Sequence, residues 1–95
     1  MVVVRRLSWD PRNVAHIARH QVTPDEVEQV CRGRPVVLGR FGGRLILIGS
    51  TQGGRMLAAM LDPEGGDVYS PVTARPASRQ ERRYYQTQQG GHSST

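Results

Sequence analysis

The sequence predicts a single α+β domain, in which an antiparallel meander of four strands is packed by helices in the order β-α-α-β-β-β-β-α. Three observations support this prediction. Two helix start signals follow a β-branched N-terminal segment, four strand-like segments separated by glycine-containing turns come next, and a third helix start signal follows them. A chain of 95 residues forms one domain with a modest core. We expect this domain to span residues 1–87, followed by a flexible Gly- and Ser-containing tail over residues 88–95.

The N-terminal segment contains the first predicted strand and helix. The stretch "VVVRRLSW" is β-branched and then alternating, which predicts a strand over residues 2–8. Asp10 is an N-cap residue followed by proline, so the first helix is predicted over Pro11–His20. Trp9 is expected to anchor the core. The face that lies on the sheet is expected to contain three apolar residues, Val14, Ile17 and Ala18.

The second helix has a complete start signal in "TPDEVEQVCRG". Thr23 is its cap, and Glu26 stands three residues later, where it closes a capping box. Gly33 ends the helix. Its buried stripe is expected to contain three residues at helical spacing, Val27, Val30 and Cys31.

From Pro35 onward the pattern becomes that of strands. The segments "PVVLGRF", "RLILIGST", "RMLAAMLD" and "GDVYSPVTAR" are separated by glycine-rich turns and form the meander. The two central segments are apolar on both faces, which indicates a sheet covered on both sides. Ser78 and Glu81 form a second capping box, which starts the last helix in "ASRQERRYYQTQQ".

The charge of the chain favours a polyanionic partner. All thirteen basic residues are arginines, and with eight acidic residues they give a formal net charge of +5. Cys31 is the only cysteine, which excludes an internal disulfide and the thiolate sets of structural zinc sites, and it suggests a reducing, cytoplasmic setting. The apolar N-terminal run is too short for a signal peptide or a membrane span, so neither export nor membrane insertion is expected.

Two of the three histidines stand one helical turn apart in "HIARH". His16 and His20 alone do not make a zinc site, because such a site needs three or four ligands and no acid or cysteine is placed to complete it. No metal is therefore expected. His16 points away from the predicted core and is interpreted as solvated. His20 lies near the end of the helix, where the helix dipole favours its protonated form.

The last helix carries a sharper signal. Three arginines at i, i+3 and i+4 share one face, and the tyrosines lie on the other: Arg79, Arg82 and Arg83 against Tyr84 and Tyr85. This stripe is either a solvated surface or a site where a phosphate backbone or an acidic partner neutralises the charge. Arg75 leaves the last strand beside the N-terminus of this helix. It either binds phosphate there or forms a structural ion pair, for instance with Glu81 or Asp10.

The stretches "WDPRNVAHIARHQVTPDEVEQV" and "TARPASRQERRYY", with a glycine-punctuated meander between them, resemble the BrnT-type toxins of bacterial type II toxin-antitoxin pairs. The resemblance covers residues 5–86, and its closing motif is the more specific half. It implies a compact ribonuclease of RelE-like fold that uses no metal or cofactor, and an antitoxin that inhibits it. One departure is Gln21, which stands where the family usually has glycine. We therefore expect the first helix to end differently.

The resemblance and the residues together give a hypothesis for function. RNA is the expected substrate and a cognate antitoxin protein the expected partner, and a homodimer is left open. Arg75, Arg79 and Arg82 would stabilise charge at the phosphate, while His20 would transfer a proton, with Tyr85 or Glu81 as other donors. The alternatives are a basic module that binds nucleic acid or an acidic partner without catalysis, and a folded but inactive toxin.

Overall fold

The computed structural model describes residues 3–90. Five strands and three helices follow one another as β1 (Arg6–Leu7), α1 (Pro11–Ala18), α2 (Pro24–Arg32), β2 (Val36–Phe41), β3 (Arg44–Ser50), β4 (Met56–Gly65), β5 (Val68–Pro76) and α3 (Arg79–Gly90). The predicted α+β class and the order of elements are confirmed. Helix α3 continues beyond residue 87, the predicted end of the domain, and the rest of the predicted tail, residues 91–95, lies outside the described part.

The five strands form one sheet in the order β1-β5-β4-β3-β2. Strands β2 to β5 are the predicted antiparallel meander, whereas β1 joins the far edge in parallel with β5. The first strand was predicted over residues 2–8, but among the described residues it is limited to Arg6 and Leu7. Backbone bonds from Arg5 to Asp67 and from Ser8 to Tyr69 extend the pairing, both at 2.8 Å, before the chain turns into α1.

The helices begin where their capping residues predict. The Asp10 carboxylate accepts hydrogen bonds from two backbone amides in the first turn of α1. Thr23 and Glu26 form a complete capping box at the start of α2. Ser78 and Glu81 form the corresponding pair at α3, with N···O distances of 2.8 and 3.1 Å. These bonds satisfy amides that would otherwise lack partners at the helix ends.

The end of α1 differs from the predicted one. The helix ends at Ala18, two residues before His20, and Gln21 keeps the left-handed conformation at φ 60°. The amide of Gln21 bonds to the Ala18 carbonyl, and that of Val22 bonds to the Ile17 carbonyl, as in a Schellman motif. The side chain of Arg55 holds the strained residue, since its Nη1 donates to the Gln21 carbonyl at 2.7 Å. The prediction of a different helix end, based on the missing glycine, was therefore wrong.

The buried face of α1 also differs from the prediction. Ile17 is fully buried, but Val14 is 36% exposed and Ala18 is exposed. Asn13 turns inward instead, and its Nδ2 donates to Ser70 Oγ on β5 at 3.0 Å. This long-range hydrogen bond rotates the helix, so the pair at i and i+4 that faces the sheet is Asn13 and Ile17.

Helices α1 and α2 cover one face of the sheet, which we call the helix-pair face. Its core consists of apolar side chains from both layers, which are Leu7, Ile17, Val22, Val27, Val30, Leu45, Leu47, Leu57, Ala59, Leu61, Tyr69 and Ala74. Trp9 and Cys31 pack against this core as predicted, and Trp9 Nε1 donates to Glu28 at 3.0 Å. The packing is tight, because a Cβ on Gly49 would lie 2.8 Å from Val30.

Helix α3 covers the opposite face, which we call the α3 face, and it covers only one end. Ile48 and Ala58 are completely buried there, whereas Ile46 and Met60 are half-buried. The sheet is thus covered on both sides, as predicted, only over part of its centre. The attachments of α3 are largely polar: the Ala77 amide bonds to the Met56 carbonyl, and Gln89 Nε2 bonds to the Arg34 carbonyl. None of the helices in residues 3–90 is long and apolar enough to span a membrane.

Candidate nucleic-acid interface

An exposed arginine stripe runs along α3. Its residues line a shallow depression on the helix surface and stand at i, i+3, i+4 and i+7: Arg79, Arg82, Arg83 and Gln86. We call this group the α3 stripe. All four side chains are exposed, so the cationic groups are accessible to an anionic ligand. Guanidinium groups at this spacing repel one another in the free protein, and a phosphate backbone would remove that repulsion.

Arg75 points from β5 toward the start of α3 and meets Glu81. The two side chains form a bidentate pair, with Nη1 to Oε1 at 2.7 Å and Nη2 to Oε2 at 2.9 Å. Arg75 Nη1 also donates to the Pro76 carbonyl at 3.3 Å. The geometry is therefore that of the structural ion pair weighed in the sequence analysis. The Arg75 side chain is about one-third exposed, so donors that Glu81 does not engage can still face a ligand.

This contact determines the charge of Glu81. The Arg75 guanidinium is the main cause that lowers the pKa of Glu81 to about 2, and the Ser78 amide lowers it further, while partial burial acts in the opposite direction. The same hydrogen bonds raise the pKa of Arg75. Glu81 is thus ionised at neutral pH and has no proton to donate. Its role as a general acid, which the sequence left open, is disfavoured by this environment.

The tyrosines of α3 separate into two environments. Tyr85 is half-buried on the side of the helix that also carries Glu81 and Gln89, and this side faces the sheet. Tyr84 is 38% exposed. The sequence placed both tyrosines on one face, but the helical period rotates them by about 100° relative to each other. Tyr85 is therefore the tyrosine held near the Arg75 and Glu81 pair.

His20 lies on the other side of the sheet. It is exposed in the turn after α1, and its ring packs edge-on against His16, with the ring centroids 5.9 Å apart. Among the described residues, no hydrogen bond or ion pair joins His20 to α3. The two regions share one end of the sheet, however, because Arg55 binds the His20 carbonyl at 3.5 Å and the next residue, Met56, binds the start of α3 through Ala77.

Arg55 is a residue that the sequence analysis did not single out. Its Nη1 donates to both carboxylate oxygens of Glu26, at 3.0 and 3.1 Å, and to the Gln21 carbonyl, while its Nη2 donates to the His20 carbonyl. The guanidinium thereby fixes the backbone that carries His20. No local pattern reveals this role, since the partners lie 29 to 35 positions apart in the chain.

Cys31 and the clusters of titratable side chains in the described part of the chain give no further site. Burial raises the pKa of the Cys31 thiol to about 12, which leaves it protonated and unreactive. Within residues 3–90, no three side chains of His, Cys, Asp or Glu come together as a metal site.

The fold and this surface define a class: a small basic α+β domain with a meander sheet, whose last helix presents exposed arginines. No protein-family model and no curated protein sequence matches the chain. Among solved structures, the chain is similar to the Brucella abortus ribonuclease toxin BrnT, with 27% sequence identity and a TM-score of 0.61. The similarity covers 78% of this chain and 97% of the toxin chain. The resemblance in the sequence motifs is thus matched by a BrnT-like toxin fold.

Proposed function

We propose that this protein is a ribonuclease toxin of a type II toxin-antitoxin pair. The observation that carries the proposal is the similarity to the BrnT ribonuclease toxin, which extends over nearly the whole of that chain. The cationic surface of α3 agrees with an RNA substrate, because arginine forks match phosphate oxygens in geometry and charge. An antitoxin with an acidic surface would bind the same arginines, and the cytoplasm is the expected compartment.

The proposed reaction is transesterification within RNA, without a metal or cofactor. A base removes the proton from a 2'-hydroxyl, and the 2'-oxygen attacks the adjacent phosphorus. The bond from phosphorus to the 5'-oxygen breaks, and an acid protonates the departing 5'-oxygen. The products are a 2',3'-cyclic phosphate and a 5'-hydroxyl end. Positioned cations stabilise the extra negative charge on the phosphorane.

Arg75, Arg79 and Arg82 are assigned the charge stabilisation in this proposal. Arg79 and Arg82 belong to the exposed stripe, and Arg75 stands at its N-terminal end with donors left over from its pair with Glu81. His20 is the proposed proton-transfer residue, and Tyr85 is the other candidate. For His20 to act on the phosphate that the arginines hold, that phosphate must lie at the end of the sheet where β4 begins, within reach of both faces.

A second candidate function is a basic module that binds RNA or an acidic partner without cleaving it. Two observations favour this alternative: Arg75 is already engaged by Glu81, and His20 lies across the sheet from the α3 stripe. The two functions differ in what happens to bound RNA. A binding module leaves RNA intact and shows a steep dependence of affinity on salt.

The deciding experiment incubates the purified protein with free RNA in excess EDTA. Cleavage that persists in EDTA and yields 2',3'-cyclic ends supports the ribonuclease, and it should fall by about 30-fold or more in each of the single variants Arg79→Ala and Arg82→Ala, because each oriented charge contributes about 2–4 kcal/mol. Arg32→Ala is the matched control, since Arg32 is a highly exposed arginine on α2. Intact RNA with a folded wild-type protein would contradict the free-RNA ribonuclease and favour the binding module.

The individual residues are tested in the same assay. Arg75→Ala is read together with its thermal unfolding midpoint, because loss of the Glu81 pair also weakens the attachment of α3. Activity within about twofold of wild type would remove Arg75 from the mechanism. His20→Ala and Tyr85→Phe compare the two proton donors, and the variant that loses the rate while binding RNA normally identifies the donor.

A further inference from the structure

We infer that Phe41 is a stacking platform for an unpaired base of single-stranded RNA, at a subsite remote from the α3 stripe. The inference rests on the proposed RNA-directed function and adds to it a position where the substrate is held by its base. It starts from an anomaly in the fold: the only phenylalanine of the chain is 63% exposed, although a small domain with few aromatic residues normally uses them in its core.

The ring is exposed because of the local backbone, and its position is constrained. Phe41 ends β2 and is followed by a two-glycine turn, in which Gly42 and Gly43 have φ values of 61° and 84°. The ring leans back along its own strand over Gly39, where a Cβ would lie only 2.9 Å from the Cε2 atom of the ring. The absence of a side chain at Gly39 therefore leaves room for the ring on the sheet surface.

Phe41 lies on the same face of the sheet as Arg75. Phe41 pairs with Arg44 on β3, and the alternate residues Ile46 and Ile48 follow on that face. Ile48 pairs with Ala58, which pairs in turn with Arg75. With a strand spacing of about 4.8 Å and a rise of about 3.3 Å per residue, Phe41 and Arg75 are separated by about 20 Å across the sheet. A single strand of several nucleotides spans such a distance.

The sheet surface between Phe41 and Arg75 is only partly covered by α3. Helix α3 buries Ile48 and Ala58, but Ile46, Met60 and Thr73 toward the Phe41 end are only half-buried. This is the uncovered end of the α3 face. An extended strand can therefore run along the sheet from the α3 stripe to the exposed ring without displacing any element.

The surrounding charges fit RNA better than an apolar protein segment. Arg44 stands beside Phe41 as its cross-strand partner, and its bidentate contact with Asp62, at 2.8 and 3.3 Å, leaves that pair without net negative charge. Arg75 lies at the other end of this sheet surface. Arg44 and Arg75 are each paired with a carboxylate, so the uncompensated positive charge comes from the exposed arginines of the α3 stripe. Proteins hold unpaired bases by stacking them on a flat apolar ring while nearby cations neutralise the backbone.

The test compares four proteins in binding and cleavage of a labelled single-stranded RNA at fixed salt: wild type, Phe41→Ala, Phe41→Leu and Phe41→Trp. We expect Phe41→Ala and Phe41→Leu to raise Kd and KM about tenfold, with kcat and the salt slope unchanged, because the ring contributes stacking and no charge. Phe41→Trp should bind as tightly as wild type or tighter. Val14→Ala removes an exposed apolar side chain on the opposite face and serves as the control.

Substituting single abasic nucleotides along the RNA locates the base. One abasic position should weaken binding to wild type and leave binding to Phe41→Ala unchanged, which couples that base to the ring. Affinity equal to wild type in Phe41→Ala or Phe41→Leu would overturn the inference, and retention in Phe41→Leu alone would indicate an apolar docking surface for a protein. If RNA is bound in a Phe41-dependent way but never cleaved, the ribonuclease proposal fails and the base subsite stands. If wild type does not bind RNA, both fail.

Discussion

The two faces of the sheet are built by different physical means. On the helix-pair face, α1 and α2 bury a continuous apolar core in which Ile17 and Leu47 are completely inaccessible. On the α3 face, the helix buries none of its residues 79–89 completely, and it is attached by a bidentate ion pair and a few hydrogen bonds. The comparison teaches that stability is concentrated on one face, while the other face keeps its arginines and an aromatic ring available to a ligand.

The largest predicted effect is a difference in the free energy of unfolding between substitutions at two neighbouring residues of β3. Leu47 is fully buried on the helix-pair face, so Leu47→Ala should lower the free energy of unfolding by about 3 kcal/mol, through lost burial and a cavity. Ile46 is half-buried on the α3 face, so Ile46→Ala should cost about 1 kcal/mol. Urea unfolding followed by circular dichroism measures both. Equal losses would show that the two faces stabilise the fold equally.

A smaller effect is expected at the polar attachment of α3. Glu81→Gln removes a charged partner of Arg75, and since that arginine is about one-third exposed, we expect a loss of about 1 kcal/mol. Hydrogen exchange should accelerate in α3 and stay unchanged in α2. Asp62→Asn, which removes a more exposed ion pair between β3 and β4, is the control and should leave the free energy of unfolding nearly unchanged. Faster exchange throughout the protein would contradict a local attachment.

The same ion pair predicts a sensitivity to acid. The pKa of Glu81 is about 2 in the folded protein and near 4.5 without its partner, so its stabilising contribution is complete above pH 4.5 and is lost as the pH falls toward 2. The pKa of Glu26 is also lowered, and it acts in the same direction. The difference in unfolding free energy between wild type and Glu81→Gln should therefore shrink between pH 5 and pH 2 in chemical denaturation. A constant difference would contradict the assignment.

The smallest predicted effect concerns the turn after α1 on the helix-pair face. Gln21 adopts φ 60°, which glycine reaches without strain, so Gln21→Gly should raise the free energy of unfolding by about 0.5 kcal/mol. Ala15→Gly inside the same helix is the control and should lower it by about 1 kcal/mol. Thermal unfolding midpoints compare the two. A loss of stability in Gln21→Gly would contradict this expectation. It would mean that the Arg55 contact depends on the restricted backbone of a residue with a side chain.

The sequence predicts those parts of the fold that depend on local chemistry. Asp10, Thr23 and Ser78 mark the helix starts because a cap needs only its own first turn. The rotation of α1 was not predictable, since it depends on the bond from Asn13 to Ser70, 57 positions later. The parallel pairing of β1 with β5 was not predictable for the same reason, because the paired residues lie far apart in the chain.

The candidate site shows the same division between local and distant signals. The arginine spacing on α3 is a local pattern, and the structure presents those arginines together on the surface. The pairing of Arg75 with Glu81 was one of two alternatives that the sequence left open, and only the geometry chooses between them. Arg55 and Phe41 were not predicted, because their importance comes from contacts and exposure that no residue pattern records.

The parallel pairing of β1 with β5 has a consequence for the order of events as the chain is synthesised. Arg6 and Leu7 are made before their partners, Val68 and Tyr69, so this edge of the sheet stays incomplete until β5 has been synthesised. Non-local pairing of this kind forms slowly, since a long loop must close before any contact compensates for its entropy. Helices α1 and α2 meet their sheet only after the meander exists. Strand β1 therefore takes its place in the sheet only after β5 has been synthesised, and the two edges of the domain are completed at different times.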